Sequence, residues 1–108
     1  MIRARFLYRD KLISGFEMRG HADSGEYGQD IVCSAVSVLA INTVNSLEKL
    51  ANANLNIVSD DENGGLLKVH VSENFLSNES VKLLLASLKL GLEDVEKMYG
   101  DFIKIENN

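Results

Sequence analysis

The stretch from residue 31 to residue 47 constrains the fold most, because it is the longest part of the chain without a charged side chain. Its apolar residues would cover most of the circumference of a helix, and Ser, Asn and Thr account for its polar positions. With Asp30 as a candidate N-cap, we expect a helix to about Ala51. Such a helix is either central in the fold or sealed by a partner.

A second helix is predicted from Ser77 to Tyr99, where leucines and valines recur at helical spacing and Gly100 follows as a stop. Alternating or short apolar runs between turn signals predict strands at residues 2–6, 12–20, 55–58, 67–71 and 102–105. The expected order is therefore ββαββαβ. We predict an α+β fold with two helices packed on one face of a largely antiparallel sheet.

Length and charge narrow the class of protein further. The 108 residues predict a single domain over 1–108, and the composition is that of a folded domain. The net charge is −5, yet residues 1–22 carry five basic and two acidic side chains. This balance disfavours direct nucleic-acid binding and favours a basic peptide or protein as partner. No 18-residue apolar run is present, so we expect no membrane span.

The chain has a single cysteine, Cys33, and so has no internal disulfide. No secretory signal is recognisable near Met1, and we expect a cytoplasmic protein. A helix beginning at Asp30 would place Cys33 in its first turn, where unpaired amides and the helix dipole favour a thiolate. His21, twelve residues earlier, is the candidate general base.

The segment between these two residues carries the remaining site predictions. Gly25 and Gly28 flank Glu26 and Tyr27, and the four residues are predicted to form a lid over the substrate. The backbone amides of Cys33 and Ser34, and the side chain of Gln29, are candidate oxyanion donors.

Other interpretations of the same residues stay open at this point. A lone cysteine in an apolar helix is more often a small buried hydrophobe than a nucleophile. Cys33 and His21 are too few for a closed zinc site, even though Glu26 and Asp30 offer oxygen ligands. The glycine spacing does not fit a dinucleotide motif, and we expect no cofactor and no metal. His70, beside Lys68 on a strand, is predicted to be solvated.

The segments Gly20-His21-Ala22, Glu26-Tyr27-Gly28-Gln29-Asp30-Ile31-Val32-Cys33 and Ala35-Val36-Ser37 closely resemble the signature of the ribosomal-processing cysteine protease family, also called Prp. The resemblance implies that Cys33 is the nucleophile and His21 the base, with Asp30 part of the signature. It implies an endopeptidase that removes the N-terminal extension of a large-subunit bacterial ribosomal protein. Ser34 and Asp23-Ser24-Gly25 depart from the usual pattern without removing a reacting group.

The resemblance also implies a homodimer, which the broad apolar coverage of the first helix and the off-stripe positions of Leu83 and Leu90 support. Two alternatives belong to other functional classes. One is a non-catalytic ribosome-associated adaptor that binds the same ribosomal protein. The other is a small-molecule thiol hydrolase.

Overall fold

The computed structural model describes residues 1–20, 27–60 and 65–106, with the side chains of residues 27–30 excepted. Five strands and two α-helices follow one another in the predicted order, and a 3-10 turn at Glu73–Phe75 was not predicted. Their bounds are β1 (Ile2–Arg9), β2 (Leu12–Arg19), α1 (Tyr27–Lys49), β3 (Leu55–Asp60), β4 (Leu66–Val71), α2 (Glu79–Met98) and β5 (Ile103–Glu106).

The five strands form one sheet in the order β3-β4-β2-β1-β5. The pairs β1–β2, β2–β4 and β3–β4 are antiparallel, and only β5 joins β1 in parallel. The predicted α+β class and largely antiparallel sheet are therefore confirmed. β2 lies at the centre of the sheet, between β1 and β4.

The hairpin between β1 and β2 turns at Asp10 and Lys11, which both have positive φ angles, of 51° and 68°. A two-residue turn with this geometry matches the right-handed twist of its strands. A register shift between Leu7 and Tyr8 interrupts the pairing of β1 with β2. The turn lies where the Arg9-Asp10-Lys11 sequence predicts it.

The core lies between one face of the sheet and the two helices. The sheet contributes alternate residues, among them Ala4, Phe16 and Val69, each no more than 1% exposed. α2 contributes a stripe at helical spacing, formed by Val81, Leu85, Leu88 and Leu92. Asn78 caps this helix by accepting a hydrogen bond from the Val81 amide at 3.1 Å. The opposite face of the sheet carries no helix among the described residues.

α1 packs on the sheet with only one side, through Val32, Val36 and Leu47. Its other side leaves Val38 and Ile41 more than half exposed. Of the two predicted alternatives for α1, a helix enclosed on all sides by the described residues is therefore excluded, and a helix covered by a partner stays open. By length and composition alone, residues 31–49 of α1 are apolar enough to cross a membrane, at a mean hydropathy of 1.4, although core helices pass the same test.

α1 begins at Tyr27, three residues before the predicted start. Asp30 is therefore a residue of the first turn, and the prediction that it is the N-cap is wrong. Tyr27 and Gly28 are also helical rather than part of a loop, and their predicted role in a lid stays a prediction. Cys33 becomes the seventh residue of the helix. Cys33 and Ser34 thus lie beyond the first turn, whose amides lack intrahelical partners, and their predicted role as oxyanion donors stays a prediction.

Candidate active site

A pocket of about 560 Å³ opens between α1 and one end of the sheet, and Cys33 forms part of its wall. The sheet side of the wall comes from residues at the end of β2 and the start of β4, with smaller contributions from β1 and β3. The lining residues on this side are Ile2, Met18, Arg19, Ser59, Gly65, Leu66 and Leu67. The volume is within the range of pockets that bind small ligands or side chains.

The helical side of the pocket is a single stripe of α1. Cys33, Ser37 and Ile41 follow one another at intervals of four residues, and Val36 and Ala40 lie beside them. Residues three or four apart share one face of a helix, so the helix itself aligns the thiol with an apolar surface. Cys33 is half-buried and packs against the core. A peptide that places an apolar side chain in this pocket would pass close to the thiol.

Gly20 fixes the point at which the chain leaves β2 toward His21. Its φ angle is +77°, and a Cβ at this position would lie 2.5 Å from the carbonyl oxygen of Met1. Its amide donates a hydrogen bond to the Gly65 carbonyl oxygen at 3.1 Å, and Gly65 lines the pocket. Only glycine combines this φ with such a close approach of two backbones. The backbone conformation at the rim of the pocket therefore explains why the Gly-His-Ala motif begins with glycine.

The other predicted site residues divide into two groups. His21, Gly25 and Glu26 lie outside the described residues, as do the side chains of Gln29 and Asp30, and their predicted roles stay predictions. Ser34 is described and is exposed on α1, away from the lining of the pocket. Of the predicted residues whose side chains are described, only Cys33 therefore belongs to the pocket.

Glu17 lies on the helix-free face of the sheet, two residues before Arg19 on β2, and its carboxylate is buried, with the residue only 3% exposed. It accepts a hydrogen bond from Arg19 Nε at 2.5 Å and one from Arg5 at 3.3 Å, and Lys68 Nζ lies 3.9 Å away. The hydrogen bond from Arg19 and the charge of Arg5 hold the pKa of the Glu17 carboxyl below its ordinary value, although burial acts in the opposite direction.

Sequence reasoning missed Glu17 and most of the pocket. The only signal for Glu17 is its place in the alternation of Phe16-Glu17-Met18-Arg19, which puts Glu17 and Arg19 on the same face of β2. The lining residues Ile2, Met18 and Ser59 belong to three different strands, and their proximity depends on the order of the strands. Ser37 lies in the predicted first helix, but the sequence does not indicate that it lines a pocket.

Fold and site together define an α+β protein with a cysteine on the wall of a largely apolar pocket, which is an arrangement suited to a cysteine hydrolase. A family model described as cysteine protease Prp matches residues 1–104. The chain therefore belongs to the Prp family of cysteine proteases.

Two curated relatives, both described as ribosomal processing cysteine protease Prp, are similar over most of their length. The protein from Staphylococcus aureus strain Mu50 is 35% identical over 88 residues, covering 82% of this chain and 80% of the relative. The protein from Bacillus subtilis strain 168 is 32% identical over 101 residues, covering 92% and 89%.

Solved structures agree with this assignment. A crystal structure of a Streptococcus mutans protein has a TM-score of 0.91 and 39% identity, covering 98% of this chain and 92% of that one. The essential ribosomal processing protease Prp from S. aureus has been crystallised with a substrate peptide, with a TM-score of 0.90 and 28% identity. It has also been crystallised with a covalently linked product peptide, with a TM-score of 0.86 and 30% identity. Both cover 100% of each chain.

Proposed function

We propose that this protease removes the N-terminal extension of a large-subunit bacterial ribosomal protein, with Cys33 as nucleophile and His21 as general base. The observation that carries the proposal is the position of Cys33 on the wall of the pocket. The curated relatives are named as ribosomal processing proteases, and the S. aureus relative takes a peptide substrate. The membership of a cysteine protease family leaves the adaptor alternative without support.

The reaction follows from the chemistry of a thiol and an imidazole. His21 accepts the thiol proton, and the Cys33 sulfur attacks the scissile carbonyl carbon to form a tetrahedral oxyanion. The carbon–nitrogen bond then breaks, the leaving amine takes the proton from His21, and a thioester remains. Water attacks this thioester with His21 as base, which releases the carboxylate product and restores the thiol. The largely apolar wall around Cys33 favours a substrate with apolar side chains near the scissile bond.

Cleavage of the extended ribosomal protein, with the cut located by mass spectrometry, tests the proposal directly. The Cys33→Ala variant is expected to bind the substrate peptide and to cleave none of it. The His21→Ala variant is expected to lose about 10²- to 10⁴-fold in rate, which is the usual contribution of a general base. Asn45→Ala, an exposed position elsewhere on α1, is the matched control and should cleave normally. Near-normal cleavage by Cys33→Ala would refute the proposal.

The small-molecule thiol hydrolase remains as a second activity to be tested. A pocket with this volume and apolar lining also accommodates a simple ester. Turnover of simple thiol or oxygen esters at rates above those for the extended ribosomal peptide would favour it. We expect the peptide to be the better substrate by far, since binding contacts remote from the scissile bond accelerate only a substrate that makes them.

We also propose that the protein acts in the cytoplasm as a homodimer. The exposed apolar side chains on the outer sides of the two helices support a dimer, with Val38 66%, Leu83 71% and Leu90 61% exposed. Light scattering of the wild-type protein should give twice the mass of one chain. A Leu83→Glu and Leu90→Glu double variant should give the mass of one chain, and cell fractionation tests the compartment. A wild-type mass equal to one chain would contradict the dimer.

A further inference from the structure

We propose that the helix-free face of the sheet is a contact surface for the phosphate backbone of RNA, which directs the protease to a ribosomal protein already bound to RNA. The inference rests on the proposed function, because it assumes a ribosomal protein as substrate. It concerns the face of the sheet opposite the helices, which the reaction itself does not use.

Three cations lie side by side across this face. Arg3 pairs in register with Arg19 on one side and with Lys104 on the other. Neighbouring strands are about 4.8 Å apart, so the three positions span about 10 Å. Like charges directly opposite one another destabilise a sheet. Glu106 and Glu17 offset part of this repulsion at Arg3 and Arg19, and a bound anion would neutralise the positive charge that remains on the three side chains.

In the neighbouring row of the same face, positive and negative side chains alternate. There Glu106, Arg5, Glu17 and Lys68 follow one another across four strands with alternating charge. Glu106 and Glu17 reach back to Arg3 and Arg19, at 3.7 Å and 2.5 Å, but within the described residues Lys104 has no ion-pair partner. The two carboxylates of this row are therefore shared with Arg3 and Arg19. We define the other row, Lys104, Arg3 and Arg19, as the cation row.

The charge of the whole face contrasts with that of the whole chain. It carries five cations against the three carboxylates of Glu17, Glu106 and Asp60, for a local charge of +2. The chain carries −5, so the rest of the molecule carries −7. A separation of this kind orients a protein as it approaches a strongly charged body. The chain thus has a positively charged face although its net charge is negative.

The position of the cation row connects it with the active site. Arg19, at one end of the cation row, lines the Cys33 pocket. Leu66, its register partner on β4, lines the same pocket. A partner seated on the row therefore lies next to the pocket mouth. Among the described residues of β1, β2, β4 and β5, this face carries no Phe, Tyr or Trp, and His70 on β4 is its one ring available for stacking on a base. The contact is expected to be with phosphates and to be independent of sequence.

RNA binding is measured by the fluorescence anisotropy of a labelled oligouridylate. Three phosphate contacts on a single strand predict that affinity falls roughly 20-fold between about 50 and 200 mM salt. The Arg3→Gln and Lys104→Gln double variant should lose most of the affinity and keep its fold, because both side chains are exposed and the pair of Arg3 with Glu106 is an exposed one. The matched control is a Lys82→Gln and Lys97→Gln double variant, which makes the same charge change on exposed positions of α2.

Cleavage assays separate this inference from the proposed function. The cation-row double variant should cleave the isolated extended peptide at the wild-type rate, and its KM should rise for the same protein bound to ribosomal RNA. Failure of the wild-type protein to cleave the isolated peptide contradicts the proposed function alone. Absence of RNA binding by the wild-type protein, or equal loss in the α2 control, overturns the inference. So does loss of isolated-peptide cleavage in the cation-row variant, which would assign the row to an acidic part of the peptide.

Discussion

Replacing Glu17 with glutamine tests whether a buried carboxylate holds the helix-free face together. In the folded chain this carboxylate lies within 4 Å of Arg5, Arg19 and Lys68 and is 3% exposed. Removing one partner of a fully buried ion pair costs about 3–5 kcal/mol. The three cations, however, are 39%, 62% and 37% exposed, so water replaces part of the lost interaction. We expect a loss of about 2 kcal/mol in the free energy of unfolding, since surface screening reduces the buried value.

The Glu106→Gln variant is the matched control for this prediction. It makes the same chemical change on the same face, but its ion pair with Arg3 is 3.7 Å long and both side chains are about half exposed. Exposed pairs contribute about 0–1 kcal/mol. Urea unfolding followed by circular dichroism gives both values. Thermal melting should place the Glu17→Gln midpoint about 10 °C below the wild-type midpoint in a domain of this size. Equal costs for the two variants would refute the argument from burial.

The dependence of stability on pH gives a second readout of the same site. The pKa of Glu17 is lower in the folded chain than its ordinary value of 4.5, so its ionised form stabilises the fold above that value. This contribution is lost as the pH falls from 4.5 through the folded-state pKa. The Glu17→Gln variant has no such group. The difference in unfolding free energy between wild type and variant should therefore shrink on acidification, and a constant difference would contradict the assignment.

Two further variants test the backbone features that shape the fold. Gly20→Ala should cost more than the ~1–2 kcal/mol of a left-handed residue, because its Cβ would meet the Met1 carbonyl oxygen at 2.5 Å. It should also impair cleavage, whereas Gly91→Ala, whose Cβ would meet only the movable Leu39 side chain, should be tolerated in both urea unfolding and peptide cleavage. Asn78→Ala should cost about 1 kcal/mol by loss of the cap on α2, and Asn78→Asp should restore it. A neutral Asn78→Ala would contradict the capping role.

Local patterns in the sequence were sufficient for the elements and their order. The alternation of Ile2, Ala4 and Phe6 predicted β1, and the leucine spacing around Leu85 and Leu88 predicted α2. The motif residues indicated the family and a candidate nucleophile, since the proposed chemistry of Cys33 depends first on the type of residue. The start of α1 was mispredicted because Asp30 is a good N-cap by composition, whereas Tyr27 carries no such signal.

The sequence by itself determined the helices, the strands and the cysteine protease family, because periodicity and short motifs depend only on residues that are close together in the sequence. Only the tertiary structure decided which strand ends meet α1 around Cys33, and which side of α1 stays exposed. It also decided that Glu17 is enclosed and that Arg3 lies between Arg19 and Lys104. These features depend on strand order and register, which bring together residues up to a hundred positions apart. The same long-range pairing places an excess of positive side chains on the helix-free face, which the net charge of the chain does not reveal.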